Sequence, residues 1–190
     1  NFWYRVVFPI VFLALITVLG ACQQSFYTLN PDQDPNNAVR IIAHRAGAGL
    51  APENTLAAVR KSLELKVDGI EVDLRQAKDS ALVVIHDLSV DRTTNGEGRV
   101  HDLTLEQIRE LDAGSWFGPE YQNEKVPTLS ELLFLIDGQC DLYIELKSKK
   151  SYPDFSRRVI ETLQTHDALA WCKIISFDDA LLDSVRAIDP

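Results

Sequence analysis

Gly69-Ile70-Glu71-Val72-Asp73-Leu74-Arg75 alternates apolar and charged side chains from Ile70 onward. In an extended strand successive side chains point to opposite faces, so Ile70, Val72 and Leu74 share one face while Glu71, Asp73 and Arg75 share the other. Asp141-Leu142-Tyr143-Ile144-Glu145-Leu146-Lys147 repeats the pattern, with Leu142, Ile144 and Leu146 opposed to Tyr143, Glu145 and Lys147. An apolar face on each strand calls for a covering layer of helices. The acids and bases then point into the interior, where charges are costly unless paired or bound to metal.

On either side of this strand, short Ile- and Val-rich runs alternate with helical patterns. Strands are expected over residues 41–46, 69–75, 81–86, 141–147 and 174–177, and helices over 53–66, 129–137, 154–166 and 179–188. Leu56, Val59, Leu63 and Val67 mark one buried helical face. Strands alternating with helices indicate parallel β/α units. The expected fold class is α/β, a TIM (β/α)8 barrel represented by about its first five units. A long polar stretch at about 87–128, with a small helix near 105–111, is an insertion after the third strand. A connection that long in a compact domain is functional more often than plain.

The 190-residue chain carries a net charge of −9, which argues against nucleic acid as a partner because phosphate backbones are bound through a Lys and Arg surplus. A small phosphate ester needs only a few local cations. The chain has no Met and stops at Ile188-Asp189-Pro190, directly after an amphipathic run, so a piece of a longer protein is expected. Residues 1–21 read as a signal peptide: Arg5 precedes the apolar run from Val6 to Leu19, which is shorter than the roughly 20 apolar residues of a spanning helix. Leu19-Gly20-Ala21-Cys22 resembles the lipobox of bacterial lipoproteins, which makes Cys22 a lipidation site and residues 22–38 a polar tether to a domain at 39–190. An uncleaved membrane anchor is the alternative. Export to the outer face of a bacterial membrane implies an oxidising compartment. There Cys140 and Cys172, each just before an expected strand, either form a disulfide or remain two separate buried thiols.

The ionisable residues gather where barrel active sites lie, at the C-terminal ends of expected strands: His44-Arg45, Glu71 and Asp73, His86-Asp87, and Glu145 and Lys147. Glu71, Asp73 and Glu145 would repel one another without a cation, and oxygen-only ligands select Ca2+ or Mg2+ over zinc. The alternative is an ion-pair network with Arg45, Arg75 and Lys147. His44 and His86 suit proton transfer near neutral pH, and the spacing of common zinc motifs is lacking. His101 and His166 read as surface residues.

His44-Arg45-Ala46-Gly47-Ala48-Gly49-Leu50-Ala51-Pro52-Glu53-Asn54-Thr55 resembles the opening signature of glycerophosphodiester phosphodiesterases. Glu71-Val72-Asp73, Val84-Ile85-His86-Asp87 and Ile144-Glu145-Leu146-Lys147 match the next three motifs in order, and Asp91-Arg92-Thr93-Thr94-Asn95-Gly96-Glu97-Gly98 resembles the family's insertion. The resemblance implies a TIM barrel that hydrolyses small-molecule glycerophosphodiesters to glycerol 3-phosphate and an alcohol. It makes His44 and His86 the acid/base pair, Glu71, Asp73 and Glu145 the ligands of one divalent cation, and Arg45 and Lys147 the phosphate contacts. Rival readings are a related lipid phosphodiesterase and a catalytically silent lipid-anchored binder. Ala46 stands where the family usually has Gly, at little cost unless the position needs a positive φ. The late motif with its Trp is absent, so the fragment alone is expected to be unstable and inactive.

Overall fold

The computed structural model describes residues 39–147 and 154–189. The expected signal peptide (1–21), the expected lipidation site Cys22 and the expected tether (22–38) lie outside the described residues. Among the described residues no helix is long and apolar enough to cross a membrane.

Four strands form the parallel body of the sheet. β1 (Ile42–Ala43) pairs with β2 (Gly69–Gln76), β2 with β4 (Asp141–Leu146), and β4 with β5 (Cys172–Ile175). The β2–β4 register sets Asp73 beside Glu145 and Glu71 beside Tyr143. On the other face Ile70, Val72, Leu74, Leu142, Ile144 and Leu146 are at most 2 % exposed. That face packs on the helices: α1 (Leu56–Glu64) through Ala58 and Val59, α3 (Leu129–Ile136) through Leu129, Leu132, Leu133 and Ile136, α4 (Phe155–Thr165) through Phe155, Val159, Ile160 and Leu163, and α5 (Asp179–Arg186) through Leu181 and Val185. Both strands therefore turn their apolar side chains to the helices, as their alternation requires. Capping starts the helices where the sequence offers hydroxyls or carboxylates. Thr55 accepts from the Ala58 N–H, Asp178 from the Ala180 N–H, and Thr128 forms a capping box with Glu131.

One expected strand is corrected. β3 (Leu82–Val84) pairs antiparallel with β2, Val84 facing Leu74 and Leu82 facing Gln76. It is a hairpin strand folded back on β2, and the parallel neighbour of β2 is β4. The reason is a second core. Leu82 and Val84 belong to the main core, whereas Val83 and Ile85 join Val90, Val100, Ile108, Ala113 and Val126 of the insertion. Covered on both faces, β3 carries the unbroken apolar run of a buried parallel strand. The insertion contains α2 (Leu105–Glu110), whose Thr104–Gln107 capping box ends a polar loop.

β1 is also shorter than expected. Residues 44–46 leave the strand as a 3-10 turn in which Arg45 (φ 49°), Ala46 (φ 61°) and Gly47 (φ 101°) are all left-handed. Ala46 thus occupies a position that does need positive φ, a conformation costing roughly 1–2 kcal/mol for a residue with a Cβ. Gly47 has a second constraint: a Cβ there would lie 2.6 Å from Ser62 Oγ. Cys140 and Cys172 are free thiols, both raised by burial and Cys172 to about 12.

Candidate active site

The left-handed turn after β1 is the first element of the site. By turning the chain off the strand, it aims the Arg45 N–H at Glu71 Oε2 (2.8 Å). His44 Nε2 lies 3.9 Å from the same oxygen, with its side chain largely exposed. β2 and β4, adjacent and in register, supply the acids: Glu71, Asp73 and Glu145 are buried, and one oxygen from each lies within 4.8 Å of the others. Lys147 Nζ approaches Glu145 Oε1 at 2.8 Å and Asp73 Oδ1 at 3.2 Å. Arg45 Nε is 3.8 Å from Asp73 Oδ2, and Arg45 Nη1 donates to Glu53 Oε1 at 3.0 Å.

Lys147 and Arg45 lie against Asp73 and Glu145, which leaves Glu71 the least compensated of the three. Glu71 Oε1 is buried with no hydrogen-bond donor among the described residues. Burial first, then the neighbouring Asp73 and Glu145 carboxylates, push the Glu71 carboxyl up, against the Arg45 N–H. Uncompensated buried carboxylates are expensive, and an all-oxygen set with a spare lone pair suits a hard divalent cation. These three residues fit such an ion. Contacts of the ion-pair alternative, through Lys147 and Arg45, are present beside them.

His86 reaches the mouth by a different route from the one its place in the sequence suggests. It follows an antiparallel strand, but β3 runs back along β2, so the Ile85 N–H donates to the Asp73 carbonyl (2.9 Å). Arg75 then grips the His86 carbonyl through Nε (2.9 Å) and Nη2 (2.6 Å), and donates from Nη1 to the Lys147 carbonyl. The imidazole Nδ1 lies 2.6 Å from Asp87 Oδ1. His101 and His166 lie elsewhere: His101 pairs with Asp102, and His166 lines a separate groove with Ser80 and Arg158. An open cleft of about 750 Å3 abuts the site, lined by Arg75, Leu88, Glu145, Lys147, Ser176 and the highly exposed Phe177.

Sequence reasoning assigned no role to several residues that bind the site together. Asn54 donates to Asp73 Oδ2 (2.8 Å) and accepts from the Asp73 N–H, tying the carboxylate to its own backbone. Glu53 and Asp87 are bridged by Arg92 from the insertion. Their one signal was that all four fall inside quoted motifs.

Residues 44–190 match the model of the Glycerophosphoryl diester phosphodiesterase family. A glycerophosphodiester phosphodiesterase of Caldanaerobacter subterraneus is 42% identical over 153 residues, covering 79% of this chain and 63% of that protein. A Bacillus subtilis enzyme of the same name is 42% identical over 149 residues, covering 74% and 49%. Among solved structures, a glycerophosphodiester phosphodiesterase of Agrobacterium tumefaciens superposes with a TM-score of 0.74 at 35% identity, covering 80% of this chain and 64% of that one. An Oleispira antarctica phosphodiesterase in complex with the product sn-glycerol-3-phosphate gives 0.75 at 34% identity, covering 80% and 63%. The chain thus spans from about half to just under two thirds of these relatives. The expected fold class, the TIM barrel, is the one these neighbours share.

Proposed function

The chain belongs to the glycerophosphoryl diester phosphodiesterase family, and from that premise we propose that it serves a metal-dependent hydrolase of glycerophosphodiesters, releasing glycerol 3-phosphate and an alcohol. The observation that carries this reading is the buried trio Glu71, Asp73 and Glu145, one of whose oxygens has no donor among the described residues, beside His44 and Lys147. The product named for the Oleispira antarctica relative supports the substrate class.

In this reading Glu71, Asp73 and Glu145 hold one divalent cation, Ca2+ or Mg2+. When bound it supplies positive charge to a phosphoryl oxygen. Arg45 offers a planar donor fork to the phosphate, and Lys147, which lines the cleft, a point charge. One of His44 and His86 takes the proton of the nucleophile, either water or the substrate's glycerol hydroxyl, and the other gives a proton to the leaving alkoxide. Each transfer contributes roughly 10²–10⁴-fold. Asn54 and the Arg45 N–H hold two of the ligand carboxylates in place. The same reading places the protein on the outer face of a bacterial membrane, held by lipid on Cys22.

The test is glycerol 3-phosphate release from glycerophosphocholine by the full-length protein with Ca2+, Mg2+ or EDTA, beside His44→Ala and Glu71→Ala. Metal-dependent release that falls in both variants, by roughly 10²–10⁴-fold for His44→Ala, supports the reading. Turnover that survives EDTA and Glu71→Ala sinks the metal assignment, and folded protein with no turnover on glycerophosphodiesters sinks the substrate class. Membrane partition unchanged in Cys22→Ser sinks the anchor.

A further inference from the structure

His86 is held by more groups than a surface-loop histidine needs. Its carbonyl accepts twice from Arg75 of β2. Its ring nitrogen Nδ1 faces the Asp87 carboxylate at 2.6 Å. An ionised carboxylate only accepts hydrogen bonds, so in the neutral imidazole the proton sits on Nδ1 and Nε2 keeps its lone pair. Asp87 is in turn clamped by Arg92, whose Nε donates to Oδ2 (2.6 Å) and whose Nη2 donates to Oδ1 (3.2 Å). The same guanidinium donates to both oxygens of Glu53, at 2.9 and 2.7 Å, and Glu53 also accepts from Arg45. A chain of hydrogen bonds therefore runs from the insertion through Asp87 to His86, and through Glu53 to the turn that carries His44 and Arg45.

We propose that Asp87 is a positioning residue that fixes the tautomer and orientation of His86, and that Arg92 of the insertion holds Asp87 for that task. The inference rests on the reading of His86 as a proton-transfer group. Stability alone gives the arrangement little reason to exist, since ion pairs of this exposure are worth roughly 0–1 kcal/mol. An orienting carboxylate does more, because an imidazole that presents the wrong nitrogen cannot exchange a proton with the substrate. The Arg92 guanidinium, with help from His86, keeps the Asp87 carboxyl at about 2, so the acceptor stays ionised at any pH at which an imidazole can work. The arrangement also gives the insertion a role: it supplies Arg92 to this network, beside Leu88 on the cleft wall.

The experiment uses the full-length, metal-loaded protein and compares Asp87→Asn, Asp87→Glu, Arg92→Lys and His86→Ala in glycerophosphocholine hydrolysis. The 15N shifts of the His86 ring nitrogens are read in the same proteins. Asp87→Asn is expected to lower kcat by roughly 10²–10⁴-fold with KM little changed, and to move the neutral His86 proton from Nδ1 to Nε2, because an amide N–H can then face Nδ1. Asp87→Glu, which keeps an acceptor, is expected to recover much of kcat and the original tautomer. Arg92→Lys is expected to fall between them. An Asp87→Asn protein with unchanged kcat while His86→Ala is inactive overturns the positioning role and leaves the reading of His86 intact. A lowered kcat with the tautomer unchanged overturns it too. A fully active His86→Ala removes the reading itself, and with it any role for Asp87 in the reaction.

Discussion

Two sets of carboxylates in this molecule are treated in opposite ways. At the mouth, Glu71, Asp73 and Glu145 are buried and crowd one another, and Glu71 Oε1 has no donor among the described residues. In the insertion, Asp112 accepts from the Gly114, Ser115 and Asn123 N–H groups and from the Ser115 hydroxyl, each at 2.7–2.8 Å. Those bonds, the Asn123 N–H foremost, hold the Asp112 carboxyl well below its usual range, whereas burial raises Glu71. The saturated carboxylate organises a loop and has nothing left to offer a ligand. The unsaturated trio leaves capacity that a cation can use. The contrast separates a structural acid from a binding acid on counted donors rather than on residue type.

The largest expected effect tests the unsaturated side. Ca2+ or Mg2+ at a hundred times its dissociation constant should raise the unfolding free energy by about 2.7 kcal/mol, and Glu71→Gln should lose most of that gain without destabilising the metal-free protein. The pH dependence has a definite sign. In the metal-free protein Glu71 binds its proton more tightly folded than unfolded, so its contribution to stability is present at low pH and lost as pH rises through the raised folded value. Metal binding requires the ionised form. The metal-induced rise in Tm should therefore be larger at about pH 7.5 than at about pH 5, and a gain that shrinks with pH would show that Glu71 is no ligand.

The next effect tests the saturated side. Asp112→Ala removes four acceptor contacts at once, but the site is open enough for water to reach the freed N–H groups. A loss of about 1–2 kcal/mol in urea unfolding is expected, with no change in metal affinity. A weakened metal site would break the separation between the two sets.

The smallest effect concerns the turn that joins β1 to the mouth. Ala46→Gly should stabilise the protein by no more than about 0.5 kcal/mol, since Gly removes the left-handed strain while giving up one buried methyl and some unfolded-state entropy. A destabilised Ala46→Gly protein would mean that the Ala46 methyl, wholly buried in the main core, outweighs the strain.

Much of the site was legible because strand parity is a local property. Alternation in Glu71-Val72-Asp73 and Ile144-Glu145-Leu146 needs only that both segments be strands with a covered apolar face, and the β2–β4 register then brings Asp73 and Glu145 together. The direction of β3 was not legible. A continuous apolar run is the same whether helices cover a parallel strand or two cores enclose a hairpin strand. The insertion core built by Val90, Val100, Ile108 and Val126 comes from residues spaced too widely to show a period.

By itself the sequence determined which residues carry charge into the interior, the alternation of strand and helix, and the ordered motifs that mark the family, because each depends on neighbours along the chain. The tertiary structure alone decided that His86 arrives on a returning hairpin, that Ala46 sits left-handed, and that Arg92 clamps Asp87 against Glu53. Each of these joins segments far apart in the sequence or a backbone angle that packing imposes. Only the closed core, by forcing the insertion against the mouth, brings their partners within hydrogen-bonding distance.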